Sequence, residues 1–129
     1  MRTKLTTSLL GILALFMTGA ADAALPIQHW QTANGAQVYF VESRGLPLLD
    51  ISVEFDAGAR RDTPAQAGLA SLTVQTLMLG AGGLPEETIS RRLADVGAQL
   101  AASFDPDRAG MTLRTLSSER ERNQSLDLL

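Results

Sequence analysis

The stretch that decides the fold is LDISVEFD, residues 49–56, because its apolar and polar residues alternate without a break. A β-strand turns successive side chains to opposite faces, so this pattern predicts a strand of an antiparallel sheet with one face covered and one face exposed. The apolar face consists of Leu49, Ile51, Val53 and Phe55, and the polar face consists of Asp50, Ser52, Glu54 and Asp56.

Two shorter strands are predicted ahead of this one. Residues 27–32 can form an edge strand, and residues 38–41 read as a buried strand because they are apolar throughout. Asn34-Gly35 between them is a strong hairpin signal, since a type I′ turn needs positive φ at both central residues. We expect these two strands and residues 49–56 to form a three-stranded meander.

A helix, a glycine-rich segment and a second helix are predicted after the strand. Thr63-Pro64 favours a helix start with threonine as the N-cap, and the helix is expected to run to about Leu79. Residues 80–83 read GAGG and lack the lysine of a phosphate-binding loop, so we interpret them as helix termination. The second helix is expected to begin near Pro85 and to end at Gly97.

Two further strands and a third helix are predicted in the last part of the sequence. The strands cover residues 99–104 and 111–116, and Ser118 with Glu121 forms a capping box that begins the helix. The sequence reaches Leu129 before any cap closes this helix. The expected fold is therefore α+β, an antiparallel sheet with helices packed on one face, in a half-domain truncated at its C-terminus.

The N-terminal residues 1–23 are expected to be a secretory signal peptide. Arg2 and Lys4 precede an uncharged apolar stretch, and Ala21-Asp22-Ala23 offers small residues at both positions that signal peptidase reads. Cleavage is expected between Ala23 and Ala24. The apolar stretch falls short of the ~20 residues that a membrane-spanning helix needs, which disfavours an anchor. We expect a bacterial periplasmic protein, or a secreted one, whose mature part is residues 24–129.

The composition limits the classes of partner and of site. With 11 basic and 14 acidic residues the formal net charge is −3, which argues against a nucleic-acid partner, and the mature protein is not expected to bind a membrane. The absence of cysteine means that no disulfide supports the core. His29 is the single histidine, and we interpret it as a structural residue rather than a metal ligand.

The order of these elements resembles the insulinase/pitrilysin family of zinc peptidases, which has the inverzincin metallopeptidase fold. The resemblance covers residues 30–129 and depends on several local phrases taken together. These phrases are Asn34-Gly35 before an apolar strand, FDAGAR at residues 55–60, Gly68-Leu69-Ala70 in the place of the family's GLAH, LPE at residues 84–86, and DVGA at residues 95–98.

The zinc motif of that family is replaced in this sequence. The family carries H-x-x-E-H on one helix, with two histidines as zinc ligands and the glutamate as general base. Here residues 71–75 read SLTVQ, so Ser71 and Gln75 stand for the histidines and Val74 stands for the glutamate. Hydroxyl and amide groups are poor zinc ligands and valine accepts no proton. The resemblance therefore implies no catalytic residue, no metal site and no cofactor, although the residues alone describe only an amphipathic helix.

What the resemblance implies about function is a non-catalytic subunit of an exported peptidase complex. Family members that have lost the zinc ligands typically pair with a zinc-bearing homologue and help to form the chamber that holds the peptide or protein substrate. An alternative is an exported binding or scaffold protein that kept the fold and acts without a peptidase partner. A neighbouring gene for an H-x-x-E-H homologue would favour the first hypothesis.

Overall fold

The computed structural model describes residues 25–129, so the expected signal peptide and the cleavage site at Ala23 and Ala24 lie outside the described residues. The described residues divide into two compact units, with the boundary between residues 43 and 44. The described part of the first unit is an antiparallel hairpin of β1 (Ile27–Gln31) and β2 (Gln37–Val41). His29 stacks on Tyr39 across this hairpin with ring centroids 4.5 Å apart.

The hairpin turn differs from the predicted type I′ turn. Its loop has three residues, closed by hydrogen bonds from Gly35 N to Thr32 O and from Thr32 N to Ala36 O, both 2.9 Å long. Gly35 has φ +90°, and in the described part of the chain positive φ occurs at glycines and at no other residue type. The type I′ prediction is therefore wrong, because Asn34 keeps negative φ and glycine alone takes the left-handed position, as is usual in three-residue loops.

The second unit is built on a three-stranded antiparallel sheet. Its strands are β3 (Leu48–Phe55), β6 (Gln99–Phe104) and β7 (Ala109–Leu116), in the order β3-β7-β6. The predicted meander is wrong, since β1 and β2 pair only with each other and β3 pairs only with β7, over its whole length. This pairing matches apolar with apolar and charge with opposite charge, because Ile51 lies opposite Leu113 and Asp50 lies opposite Arg114.

The two faces of this sheet differ as the alternation predicts. On the outer face the Arg114 guanidinium donates two hydrogen bonds to the Asp50 carboxylate, at 2.6 and 3.0 Å. On the inner face Leu113 and Thr115 are each only 1 % exposed. The helices of the unit pack on this inner face. The buried apolar side chains between helices and sheet are Val74, Ile89, Leu93, Val96 and Leu113.

Three helices cover the inner face, in agreement with the predicted α+β class. They are α1 (Leu69–Thr76), α2 (Glu86–Asp95) and α3 (Glu119–Leu126). No helix in the described residues is long and apolar enough to span a bilayer. The glycine-rich segment does more than end a helix. Gly82 and Gly83, with φ +58° and +80°, turn the chain so that β4 (Gly80–Ala81) pairs with β5 (Leu84–Pro85).

A buried hydrogen bond joins α3 to the sheet. The Thr115 hydroxyl lies 2.8 Å from that of Ser125, and the Ser125 hydroxyl donates to the Glu121 carbonyl at 2.6 Å. Thr115 is 1 % exposed and Ser125 is fully buried, so both polar groups need these partners. The capping box appears in altered form, because the Ser118 hydroxyl donates to the Glu121 carboxylate at 2.5 Å instead of accepting a hydrogen bond from a backbone N–H of the helix.

The start of α1 differs from the prediction. Thr63 makes no capping hydrogen bond, and Pro64–Gln66 forms a short 3-10 turn. Gly68, at φ +92°, then redirects the chain, and α1 begins at Leu69. The carboxylate of Asp62 accepts hydrogen bonds from Gly68 N at 2.8 Å and from Ala70 N at 3.1 Å. Asp62 thus satisfies two of the backbone amides at the start of this helix.

Removing the Asp62 carboxylate is therefore expected to destabilise the protein more than removing the Thr63 hydroxyl. We expect Asp62→Ala to lower the free energy of unfolding by about 1 to 2 kcal/mol, the usual value of a helix cap. Thr63→Ala serves as the matched control and should change it by less than about 0.5 kcal/mol. Urea unfolding followed by circular dichroism measures both, and equal losses would contradict the role of Asp62.

Candidate functional site

The three positions that correspond to the zinc motif lie on α1 in two different environments. Ser71 and Gln75 are one turn apart on the same helical face, and Gln75 Nε2 donates a hydrogen bond to Ser71 Oγ at 2.9 Å. Val74 is only 7 % exposed and belongs to the core between α1 and the sheet. The structure therefore brings Ser71 and Gln75 together and separates Val74 from them.

The chemistry available to Ser71 and Gln75 is hydrogen bonding. Their bond uses one of the two amide hydrogens of Gln75, so its second N–H and its carbonyl oxygen can still engage one donor and one acceptor. A peptide group presents such a donor and acceptor. Neither side chain has the imidazole, thiolate or carboxylate that zinc prefers. Among the described residues there is no cluster of histidine, cysteine, aspartate or glutamate that could hold a metal ion.

A separate open cleft of about 490 Å³ lies between α1 and the end of the sheet, and neither Ser71 nor Gln75 is among the residues that line it. Its floor is apolar, and Val74 and Ala109 are part of it. Ala109 is paired in the sheet with Phe55 and Phe104, which lie outside the lining of the cleft and are 60 % and 40 % exposed. The remaining lining residues are Asp56, Ala57, Arg61, Asp62, Leu69, Ala70 and Thr73. The cleft is thus suited to an apolar side chain.

The rim of the cleft is held by contacts between two loops. The segment after β3 approaches the turn between β6 and β7 so closely that Gly58 N donates to Asp107 O at 3.2 Å and Arg60 N donates to Pro106 O at 2.8 Å. An ion pair of 2.5 Å joins Arg60 to Asp107, and another of 2.6 Å joins Arg108 to Glu54. These contacts fix the loop that leads to Asp62, and through it the start of α1.

The β6–β7 turn is organised by one carboxylate. Asp105 Oδ1 accepts hydrogen bonds from the backbone N–H groups of Asp107 and Arg108, at 2.7 and 2.8 Å. The backbone N–H of Arg108, followed by that of Asp107, lowers the pKa of Asp105 from its ordinary value. The ionised form is therefore the one that holds the turn, and its stabilising effect is lost as the pH falls through that lowered pKa.

Sequence reasoning missed the residues that shape this cleft. Asp105-Pro106-Asp107 did signal a turn, and an aspartate two residues before a backbone amide is typical of an Asx turn. The approach of Gly58 to that turn left no local signal, because the two segments are far apart in the sequence. The pairing of Phe55 and Phe104 with Ala109 depends on the strand order, which the predicted meander did not contain.

Comparisons with known proteins relate this fold to peptidases. The crystal structure of a peptidase M16 inactive domain from Pseudomonas fluorescens matches with a TM-score of 0.77 and 38% sequence identity, over 81% of this chain and 25% of that one. The crystal structure of pitrilysin matches with a TM-score of 0.60 and 21% identity, over 74% of this chain and 10% of that one, and shows likeness of fold alone. No protein-family model and no curated protein matches the chain.

The chain covers only a minor part of each of these two structures. The chain spans 25% of the length of the first of these structures and 10% of the second. The likeness to the first is one of sequence as well as of fold. The predicted family resemblance is confirmed by these two matches.

Proposed function

Because this chain is a homologue of the insulinase/pitrilysin peptidases (peptidase M16), we propose that it is a non-catalytic subunit of an exported peptidase complex. In this role it helps a zinc-bearing homologue to enclose a peptide substrate. The solved structure with 38% identity to this chain is itself described as an inactive domain, which supports the proposal.

The observation that carries the proposal is the hydrogen bond between Gln75 and Ser71. Two positions that hold zinc ligands in active members of the family here satisfy each other as neutral polar groups. The position of the general base is an apolar residue of the core, Val74. Such a helix can support the fold and contact a peptide, but it has no group that activates water.

The cleft suggests how the subunit contacts a peptide. An apolar side chain of the peptide occupies the space lined by Leu69, Val74 and Ala109. Burial of apolar surface supplies the affinity, since each fully buried side chain contributes on the order of 2 kcal/mol. The zinc-bearing homologue supplies the catalytic site, and no cofactor is bound by this chain.

The experiment isolates the complex from the producing cell. The tagged protein, carrying its own N-terminus, is recovered from the exported fraction and its N-terminal residue is determined. We expect a start near Ala24 and a copurifying homologue that carries H-x-x-E-H and zinc. Recovery of the protein alone from that fraction, with peptidase activity unaffected by its deletion, would instead support an exported binding or scaffold protein without a peptidase partner.

Two substitutions test the role of the cleft within that complex. Leu69→Ser removes an apolar side chain from the lining of the cleft and is expected to raise the KM for peptide about tenfold, with kcat nearly unchanged. Leu116→Ser is the matched control, because Leu116 is 41 % exposed, close to the 49 % of Leu69, and lies at the opposite end of β7 from Ala109. A KM that responds equally to both substitutions would contradict a peptide site in the cleft.

A further inference from the structure

The turn of the β1–β2 hairpin contains a pair of residues with a chemistry of its own. Asn34 is followed by Gly35, and both are exposed. In an Asn-Gly pair the glycine nitrogen can reach the side-chain carbonyl of asparagine, because glycine has no side chain to obstruct the approach. A β-carbon added to Gly35 would have Gln31 Nε2, at 3.9 Å, as its nearest neighbour, so the space around this pair is open.

We propose that Asn34-Gly35 is a latent modification site, masked by the folded turn and converted to aspartate or isoaspartate when the hairpin opens. In the reaction the Gly35 nitrogen forms a bond to Asn34 Cγ. The side-chain amide leaves as ammonia and takes with it the proton of the Gly35 N–H. Solvent water then opens the resulting succinimide at either of its two carbonyl groups, and no oxidant or reductant is required.

The folded turn restrains both reacting groups. The N–H of Gly35 donates to Thr32 O at 2.9 Å, so the nucleophilic nitrogen is engaged. The Thr32 hydroxyl donates to Asn34 Oδ1, and the same oxygen lies 3.5 Å from Ala36 N. Thr32 Oγ1 also accepts from Ala36 N at 3.0 Å. Thr32 therefore holds the asparagine side chain and closes the loop at the same time.

The hairpin that provides this protection opens easily. A two-stranded hairpin is marginally stable in water by itself. Every residue of β1 is exposed, and in β2 only Val38 is partly covered. Opening frees the Gly35 nitrogen and lets the Asn34 side chain rotate. The product carries a new negative charge and, as isoaspartate, an additional backbone carbon in a three-residue loop, which opposes reclosure of the hairpin.

The test compares rates of conversion at Asn34 in the folded and in the denatured protein. The full chain is incubated in mildly alkaline buffer with and without denaturant, and peptide mapping by mass spectrometry follows Asn34. Asn123, which precedes Gln124 in α3, is the internal control. We expect conversion at Asn34 to be slower in the folded protein than in denaturant, and conversion at Asn123 to be negligible in both.

Substitutions at Thr32 and Gly35 test whether the turn is the cause of the slower conversion of Asn34 in the folded protein. Thr32→Val should speed conversion in the folded protein about fivefold, as expected for the loss of an ordinary hydrogen bond, with no change in denaturant. Thr32→Ser keeps the hydroxyl and should behave as the unmodified protein. Gly35→Ala should slow conversion in denaturant. Equal rates for folded and denatured protein, or a Thr32→Val rate equal to that of the unmodified protein, would overturn the proposal.

Discussion

Replacing Gly58 by alanine is expected to destabilise the second unit by about 3 kcal/mol, the upper end of the cost of overpacking. A β-carbon at this position would lie 2.4 Å from Arg108 N and 2.6 Å from Asp105 O. Both atoms belong to the backbone of the β6–β7 turn and cannot rotate away as a side chain would. The loop after β3 must therefore separate from the turn or strain it, and thermal unfolding should show a markedly lower midpoint.

Gly45 supplies the matched control for this substitution. A β-carbon at Gly45 would have no atom within 4 Å, and its φ lies outside the left-handed region. Gly45→Ala is therefore expected to leave stability unchanged or to raise it by up to about 1 kcal/mol, through the lower entropy of the unfolded chain. Similar midpoints for the two variants would mean that the contact between the loop and the turn does not stabilise the fold.

Restoring the zinc motif in two steps is expected to show metal binding in the first step, with the two histidines, and a loss of stability in the second, with the glutamate. In Ser71→His with Gln75→His, two imidazoles one helical turn apart, ~6 Å between their β-carbons, replace the hydrogen-bonded pair. We expect this variant to bind zinc, and the unmodified protein to bind none at a one-to-one ratio and to hydrolyse no peptide. Equilibrium dialysis followed by metal analysis measures the binding. Stoichiometric zinc in the unmodified protein, or chelator-sensitive hydrolysis by it, would refute the non-catalytic role.

Adding Val74→Glu to that variant is expected to cost stability. Val74 is 7 % exposed, so a carboxylate there would be buried beside Leu113 and the other apolar core residues without a partner. An uncompensated buried charge costs about 3 to 5 kcal/mol. Leu72→Glu is the matched control, because Leu72 is on the same helix and 60 % exposed, and should have little effect. Urea unfolding compares the two, and equal stabilities would mean that position 74 can face solvent.

Local patterns were sufficient where one segment decides its own conformation. The predicted strand at residues 99–104 agrees with β6, and the alternation of residues 49–56 agrees with β3 and with its polar outer face. The acidic first turn after Pro85 likewise marked the start of α2. In each case the period of the apolar residues, or the cap, lies within the segment, so no distant contact was needed to predict it.

Predictions from local patterns were wrong where a side chain outside the pattern determines the conformation. Thr63 has the residue type of an N-cap, but the carboxylate of Asp62 reaches the start of α1 because Gly68 takes a left-handed conformation. Asn34-Gly35 favoured a type I′ turn, but the Thr32 hydroxyl and the extra loop residue stabilise a different one. A preference of two adjacent residues for a cap or a turn does not take account of hydrogen bonds from side chains several residues away.

The sequence by itself determined the α+β class, the family resemblance and the replacement of the zinc ligands by Ser71 and Gln75, since these depend on residue identity and short-range spacing. Only the tertiary structure decided that β3 pairs with β7, that Gly58 contacts the β6–β7 turn and that Val74 is a core residue. These features require segments far apart in the chain to meet. Their meeting depends on how the apolar faces of sheet and helices are buried together, and the periodicity within any one segment does not specify that arrangement.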